Sequence, residues 1–97
     1  MRHVTIEIIG DSVNASIVRL PERRFPGLVI QGDSLAVLTS TLTRALEALR
    51  DADLAEASEE LRELAGILGA YRAEYERALD SEGIDLPYAD GRIAPGG

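Results

Sequence analysis

Ser34 stands in the string Gly32-Asp33-Ser34-Leu35, after an apolar strand pattern and at the start of a helical one. From such a place a serine hydroxyl can attack an ester, provided that a base lies within hydrogen-bond reach and a third group orients the base. The chain offers one histidine, His3, with no Asp three residues before it, and no cysteine at all. Asp33 and Ser34 are therefore read as a helix cap, with side-chain oxygens accepting from first-turn N–H groups that have no intrahelical partner. Carboxylates are the next candidates. Glu56, Glu59, Glu60, Glu63, Glu74 and Glu76 share one helical segment with Arg62, Arg72 and Arg77. General acid–base work needs two carboxyl groups whose pKa values are driven apart by burial. These instead alternate with arginines at i,i+3 and i,i+4 spacing, the pattern of a solvated face. No Cys/His set or calcium loop marks a metal site, and Gly27 and Gly32 lack the Gly-Lys-Ser/Thr ending of a phosphate loop. The expectation is no catalytic residue, no metal and no cofactor: not an enzyme.

Binding chemistry is better supplied. Arg23-Arg24-Phe25-Pro26-Gly27 contains the only phenylalanine, a doubled arginine and a rigid turn, and Gln31 ends the apolar run that follows. Arginine and aromatic side chains are enriched at recognition hot spots, and loops carry function more often than the elements they join. Arg23, Arg24, Phe25, Pro26, Gly27 and Gln31 are candidate partner-binding residues. The plainer alternative has Phe25 in the core and the two arginines paired with glutamates. Seventeen acidic residues against ten basic ones, all ten arginine, leave a net charge of −7. Such a surface repels phosphate backbones and disfavours direct nucleic-acid binding. It attracts basic proteins instead, with Glu59 and Glu63 as candidates for steering them.

The elements that position these residues follow from periodicity. Val4, Ile6 and Ile8 alternate with polar neighbours, Gly10-Asp11 supplies a turn, and residues 13–18 resume the alternation, which predicts a hairpin. Leu28-Val29-Ile30 is a third short strand. Leu35, Leu38, Leu42, Ala45 and Leu49 mark a first helix of about 16 residues by their three-four spacing. After a break at Asp51-Ala52-Asp53, Leu54, Ala57, Leu61, Leu64, Leu68, Tyr71, Tyr75 and Ala78 mark a second of about 29, ended by Gly83 as a C′ residue. Glycines at 66 and 69 within it suggest close approach of another element. The fold class expected is α+β: a three-stranded antiparallel sheet followed by an antiparallel two-helix hairpin. Residues 1–88 form one domain and 89–97 a flexible tail. The second helix outruns the first by several turns, so Leu68, Tyr71 and Tyr75 need a cover, either the sheet or a second copy of the chain. Self-association through these three is expected, and a homodimer with it. No run of apolar residues is long enough for a membrane span, Glu7 interrupts the N-terminal one, and the expected location is the cytoplasm.

Residues Arg23 to Leu35, with the N-terminal hairpin, the two helices and the ending Gly83-Ile84-Asp85-Leu86-Pro87-Tyr88, resemble a family of small bacterial proteins described as a domain of unknown function. Pro26-Gly27 and Gln31-Gly32-Asp33-Ser34-Leu35 are also similar, more loosely, to HicB-type antitoxins, in which a strand pair, a Pro-Gly turn and this stretch precede a helix. The chain departs from that pattern afterwards, with a long second helix in place of a fourth strand. The string at 32–35 is spelled like the signature of GDSL esterases, whose other blocks are missing. The function expected is a non-enzymatic binding protein, an immunity- or antitoxin-like inhibitor of a basic toxin or nuclease. The alternative is a homodimeric structural or adaptor protein.

Overall fold

The computed structural model describes residues 1–11, 16–89 and 92–93. Chain order is β1 (Glu7–Ile9), β2 (Ser16–Arg19), β3 (Gly27–Val29), α1 (Gly32–Arg50), α2 (Leu54–Ser81), β4 (Tyr88–Ala89) and β5 (Arg92–Ile93). The fold is α+β, with an antiparallel sheet ordered β1-β2-β3 and a long second helix. β4 and β5 form a separate two-residue ladder. The second-strand positions Val13, Asn14 and Ala15 lie outside the described residues, as does most of the expected tail. Among the described residues, no helix is long and apolar enough to cross a membrane. The chain forms two compact units. Residues 1–29 with 71–97 make a sheet unit, and residues 30–70 make a helical unit.

In the sheet unit, Ile9 pairs with Ile17 across β1 and β2. Both are buried with Tyr75, Ala78 and Leu79 from the end of α2, while Ile84, Leu86 and Tyr88 pack against this cluster. Ile17 and Leu79 are 0% exposed, and each such side chain contributes about 1.5–3 kcal/mol by leaving water. The alternation Val4-Ile6-Ile8 would have put Ile8 inward, but Ile9 takes that place and Ile8 is 70% exposed. With two isoleucines in succession, periodicity alone does not set the phase. Gly10 sets it. Its φ is +70°, and a Cβ there would stand 3.2 Å from the Ala78 Cβ, so the turn lies directly on α2 and carries Ile9 with it. α2 ends as its glycine signals. Gly83, at φ +67°, donates to the Asp80 carbonyl at 3.1 Å, and Ile84 donates to the Leu79 carbonyl at 2.9 Å. This Schellman arrangement folds Ile84 back onto the core.

In the helical unit, α1 opens two residues earlier than its acidic residue suggests. The N-cap is Gln31, with no side-chain capping bond. Asp33 lies inside the first turn, where its Oδ1 accepts from the Ser34 N–H at 2.8 Å. The expected cap at Asp33 and Ser34 is thus corrected to a first-turn acid that favours the positive end of the helix. Asp33 still satisfies one orphan donor. α1 closes on a second Schellman arrangement. Ala52 N–H donates to Leu49 and Asp53 N–H to Ala48, with Ala52 at φ +59°. Asp53 then caps α2, accepting from Glu56 N–H at 3.1 Å. Two residues therefore end one helix and begin the next.

The buried residues of α1 are Leu38, Thr41, Ala45 and Ala48, and Ala57 is buried on α2. Thr41 has its hydroxyl satisfied, donating to the Val37 carbonyl and accepting from Arg44. The Arg44–Glu60 ion pair, at 3.3 Å, ties the helices together. These two residues lie equally far in sequence on either side of Ala52, as antiparallel neighbours must. Of the expected stripe, Leu38 and Ala45 are buried, whereas Leu35, Leu42 and Leu49 are exposed; Thr41 and Ala48 complete the seam in their place. Gly66 and Gly69 also differ from expectation, because nothing lies within 4 Å of a Cβ built at either.

Candidate interaction surfaces

The sheet unit holds the Arg23–Gly27 loop rigidly. A 3.2 Å bond from Arg23 N–H to the Leu20 carbonyl closes a turn with Pro21 and Glu22 at its centre. Glu22 has φ +67°, and with proline before it the turn is type II, whose second central position favours glycine. A glutamate there costs roughly 1–2 kcal/mol of backbone energy. The far end of the loop is held by the buried Tyr75 hydroxyl, which donates to the Pro26 carbonyl at 2.7 Å. Between these fixed points Arg23 and Arg24 are exposed, Phe25 is half-buried and Pro26 is buried. The Arg24 guanidinium lies 5.0 Å from the Phe25 ring centroid, a cation–π contact that holds both side chains in one orientation. Gly27 begins β3, and nothing lies within 4 Å of a Cβ built there.

Tyr75 is the residue that sequence reasoning misplaced. It is 9% exposed and belongs to the core of its own chain. The sheet covers the overhang of α2 here, so Tyr75 is corrected from a self-association residue to an anchor of the loop. Its ring stacks on Tyr88 at 6.4 Å. The Tyr88 hydroxyl donates to Glu76 at 2.9 Å, and Arg72 donates to the same Glu76 oxygen at 3.2 Å while lying over the Tyr88 ring. Burial raises the Tyr75 hydroxyl above its ordinary pKa, with the neighbouring Tyr88 adding to it. Both phenols therefore remain donors at neutral pH. Tyr71 is half-buried in the same unit.

The helical unit carries the other surface. Leu35, Leu42, Leu46 and Leu49 on α1 and Leu54, Leu61 and Leu68 on α2 are each 42–68% exposed. At about 100° per residue, each row lies roughly 75–90° around its helix from the buried seam, in the same rotational sense. For antiparallel helices, equal offsets in one sense fall on one side of the pair. The seven leucines therefore form a single face. Leu68 is part of it, 50% exposed. Ser58, Ala65 and Gly69 fall beside the α2 row. The heptad 54-61-68 was visible in the sequence. Its facing away from α1 was not, because that depends on which neighbouring row the first helix occupies.

Glu56, Glu59 and Glu63 lie on the side of α2 away from the leucines, and all three are exposed. The Glu56 carboxyl is held above the ordinary carboxylate pKa, first by hydrogen bonding with Glu60, then by desolvation, then by repulsion from Glu60, Glu59 and Asp53. Acid crowding on this stripe is thus a cost in the free protein. Gln31 is exposed, and its backbone carbonyl accepts from Leu35 N–H at the start of α1. The loop arginines belong to the sheet unit, whereas Gln31, Glu59 and Glu63 belong to the helical unit. Among the described residues, no group of three or more His, Cys, Asp or Glu is arranged to hold a metal ion.

A family model described as a family of unknown function (DUF6959) matches residues 1–88. No curated protein and no solved structure matches the chain.

Proposed function

We propose, for a chain that belongs to the DUF6959 family of unknown function and takes no activity from it, that the protein is a non-enzymatic adaptor working as a homodimer. The leucine face of the helical unit carries this reading. Seven leucines at about half exposure leave roughly 500–600 Å² of apolar surface on one side of two helices, at the upper limit for a patch that a soluble monomer leaves uncovered. A second copy laid across it makes a four-helix arrangement and approaches the ~800 Å² per partner of a standard interface. The small side chains Ser58, Ala65 and Gly69 leave room for the other copy to approach. Sedimentation at micromolar concentration tests it. The wild type sediments as a dimer, and Leu42→Glu or Leu61→Glu sediments as a folded monomer. A monomeric wild type refutes the adaptor.

The acid stripe favours a second reading, the inhibitor of a basic toxin or nuclease. A cationic partner would relieve the crowding around Glu56 and gain association rate from the net charge of −7. The HicB-like order of strands, Pro-Gly turn and Gln31–Leu35 agrees with an immunity or antitoxin role in the cytoplasm. In this reading Glu59 and Glu63 set the on-rate and its salt dependence. The rigid loop at Arg23–Gly27 sets the dissociation rate, with Arg24→Ala costing roughly 2 kcal/mol of affinity or more. A low-salt pull-down from the native host that yields no basic protein removes this reading and leaves the adaptor.

A further inference from the structure

We propose that the groove beside the Leu20–Arg23 turn binds an extended acidic segment of another protein, one that carries apolar side chains between its carboxylates. Arg2, Val4, Leu20, Pro21, Glu22 and Arg23 line this open groove of about 440 Å³. Two chemistries meet in it. Val4 and Leu20 present half-exposed apolar surface, and Arg2 and Arg23 present exposed guanidinium groups.

Charge decides the kind of occupant. Arg19, Arg44 and Arg72 are each held by a glutamate of the chain itself. Among the described residues, Arg2 and Arg23 form no ion pair. Two such arginines on one apolar groove, in a protein of net charge −7, complement a carboxylate-bearing ligand. A guanidinium meets a carboxylate through two parallel hydrogen bonds. A long polyanion such as nucleic acid would satisfy the arginines but would leave Val4 and Leu20 unmatched.

Shape decides its form. β1 is an edge strand, unpaired on its outer side among the described residues, and its Ile8 is 70% exposed. An extended ligand places alternate side chains on such a surface. The turn is closed at one end by the Arg23–Leu20 bond, and the loop is pinned at the other by Tyr75, so little ordering remains to be done on binding. Within the groove, Glu22 works against an acidic ligand. It holds a backbone conformation suited to glycine and places a like charge on the groove wall, a repulsive element of the kind that sharpens specificity.

The site is independent of the leucine face, and its test does not depend on dimerisation. The probe is a fluorescein-labelled peptide of alternating Glu and Leu, followed by fluorescence anisotropy, with an alternating Lys and Leu peptide and a labelled oligothymidylate of equal length as comparisons. Wild-type protein is expected to bind the Glu peptide in preference to both. The double variant Arg2→Ala/Arg23→Ala should weaken binding at least tenfold at unchanged melting temperature. Glu22→Gly should tighten it several-fold, a gain that a damaged fold would not give. The proposal is overturned if the Glu peptide binds no better than the Lys peptide, or if the arginine and Glu22 variants leave its affinity unchanged. It is also overturned if the oligothymidylate binds equally well with the same dependence on Arg2 and Arg23.

Discussion

The sheet unit and the helical unit bury different kinds of side chain, although both leave large apolar residues in water. The sheet unit gathers Ile9, Ile17, Tyr75, Leu79 and Ile84 from distant parts of the chain and buries or half-buries all of them. The helical unit buries Leu38, Thr41, Ala45, Ala48 and Ala57 and leaves most of its leucines in water. Composition does not explain the contrast, since leucine is plentiful in the helices. A helix pair can bury only one stripe of each helix against the other, and a second stripe needs a third surface. In the sheet unit, β1 and β2 provide that third surface for the end of α2. Around α1 and the first half of α2, the second stripe is still open.

The largest expected effect separates the units by one kind of substitution. Leu79→Ala removes a fully buried side chain and should cost about 2–5 kcal/mol. Leu61→Ala, assayed below the concentration of any dimer, should fall within ~0.5 kcal/mol of the wild type. Urea titrations of both variants read the difference directly. A similar loss in both would mean that Leu61 is covered within the monomer.

A smaller effect tests how the sheet unit holds its loop. Tyr75→Phe keeps the ring and its stacking on Tyr88 but leaves the Pro26 carbonyl without its 2.7 Å donor. The cost should be about 1–3 kcal/mol, the penalty of a buried group deprived of its bond. Loop amides at Arg23 to Phe25 should exchange faster than those of β2. Unchanged exchange there would mean that the turn alone fixes the loop.

The two units also differed in how legible they were. Both helices, the Gly83 ending and the three strands could be read from periodicity and turn chemistry, because each depends on neighbours within a few residues. The phase of β1 could not. Ile8 and Ile9 are equally apolar, and the choice between them rests on Gly10 meeting Ala78, a contact between residues far apart in sequence. The loop residues Arg23 to Pro26 stood out by composition, but their anchor did not, since a tyrosine in a heptad stripe reads as one more apolar residue. In the helical unit, Leu38 and Ala45 of the expected stripe lie in the seam, but Leu35, Leu42 and Leu49 lie beside it. Thr41 and Ala48 take the remaining seam positions, and residues of those types attract little notice as core.

The junction within the helical unit gives a third test, of opposite sign. Ala52 adopts φ +59° at a position where Gly83 serves the sheet unit. Ala52→Gly should therefore stabilise the protein by up to about 1 kcal/mol, while Gly83→Ala should destabilise it by a similar amount. Paired thermal melts decide it. If Ala52→Gly lowers the melting temperature, the greater freedom of glycine in the unfolded chain outweighs the relief of strain.

The smallest effect is the most selective, because pH should move the two units in opposite directions. In the sheet unit, hydrogen bonds from Arg19 and then its charge hold the Glu7 carboxyl below the ordinary 4.5. In the helical unit, Glu60 and the neighbouring acids hold Glu56 above it. For Glu7 the unfolded chain binds the proton more readily, so its contribution is present above the ordinary value and is lost as pH falls through the lowered one. For Glu56 the folded chain binds the proton more readily. Its penalty is present at neutral pH and disappears as pH falls through the raised value towards 4.5. Acidification should first relieve the helical unit and only later loosen the sheet unit. Both groups are exposed, so the shifts are small and salt should shrink them. Carboxyl NMR titration should place Glu56 above Glu7, and Glu56→Gln should remove the gain on mild acidification while leaving the loss at lower pH. If the two carboxyls titrate together, neither the Arg19 contact nor the acid crowding on α2 persists in solution.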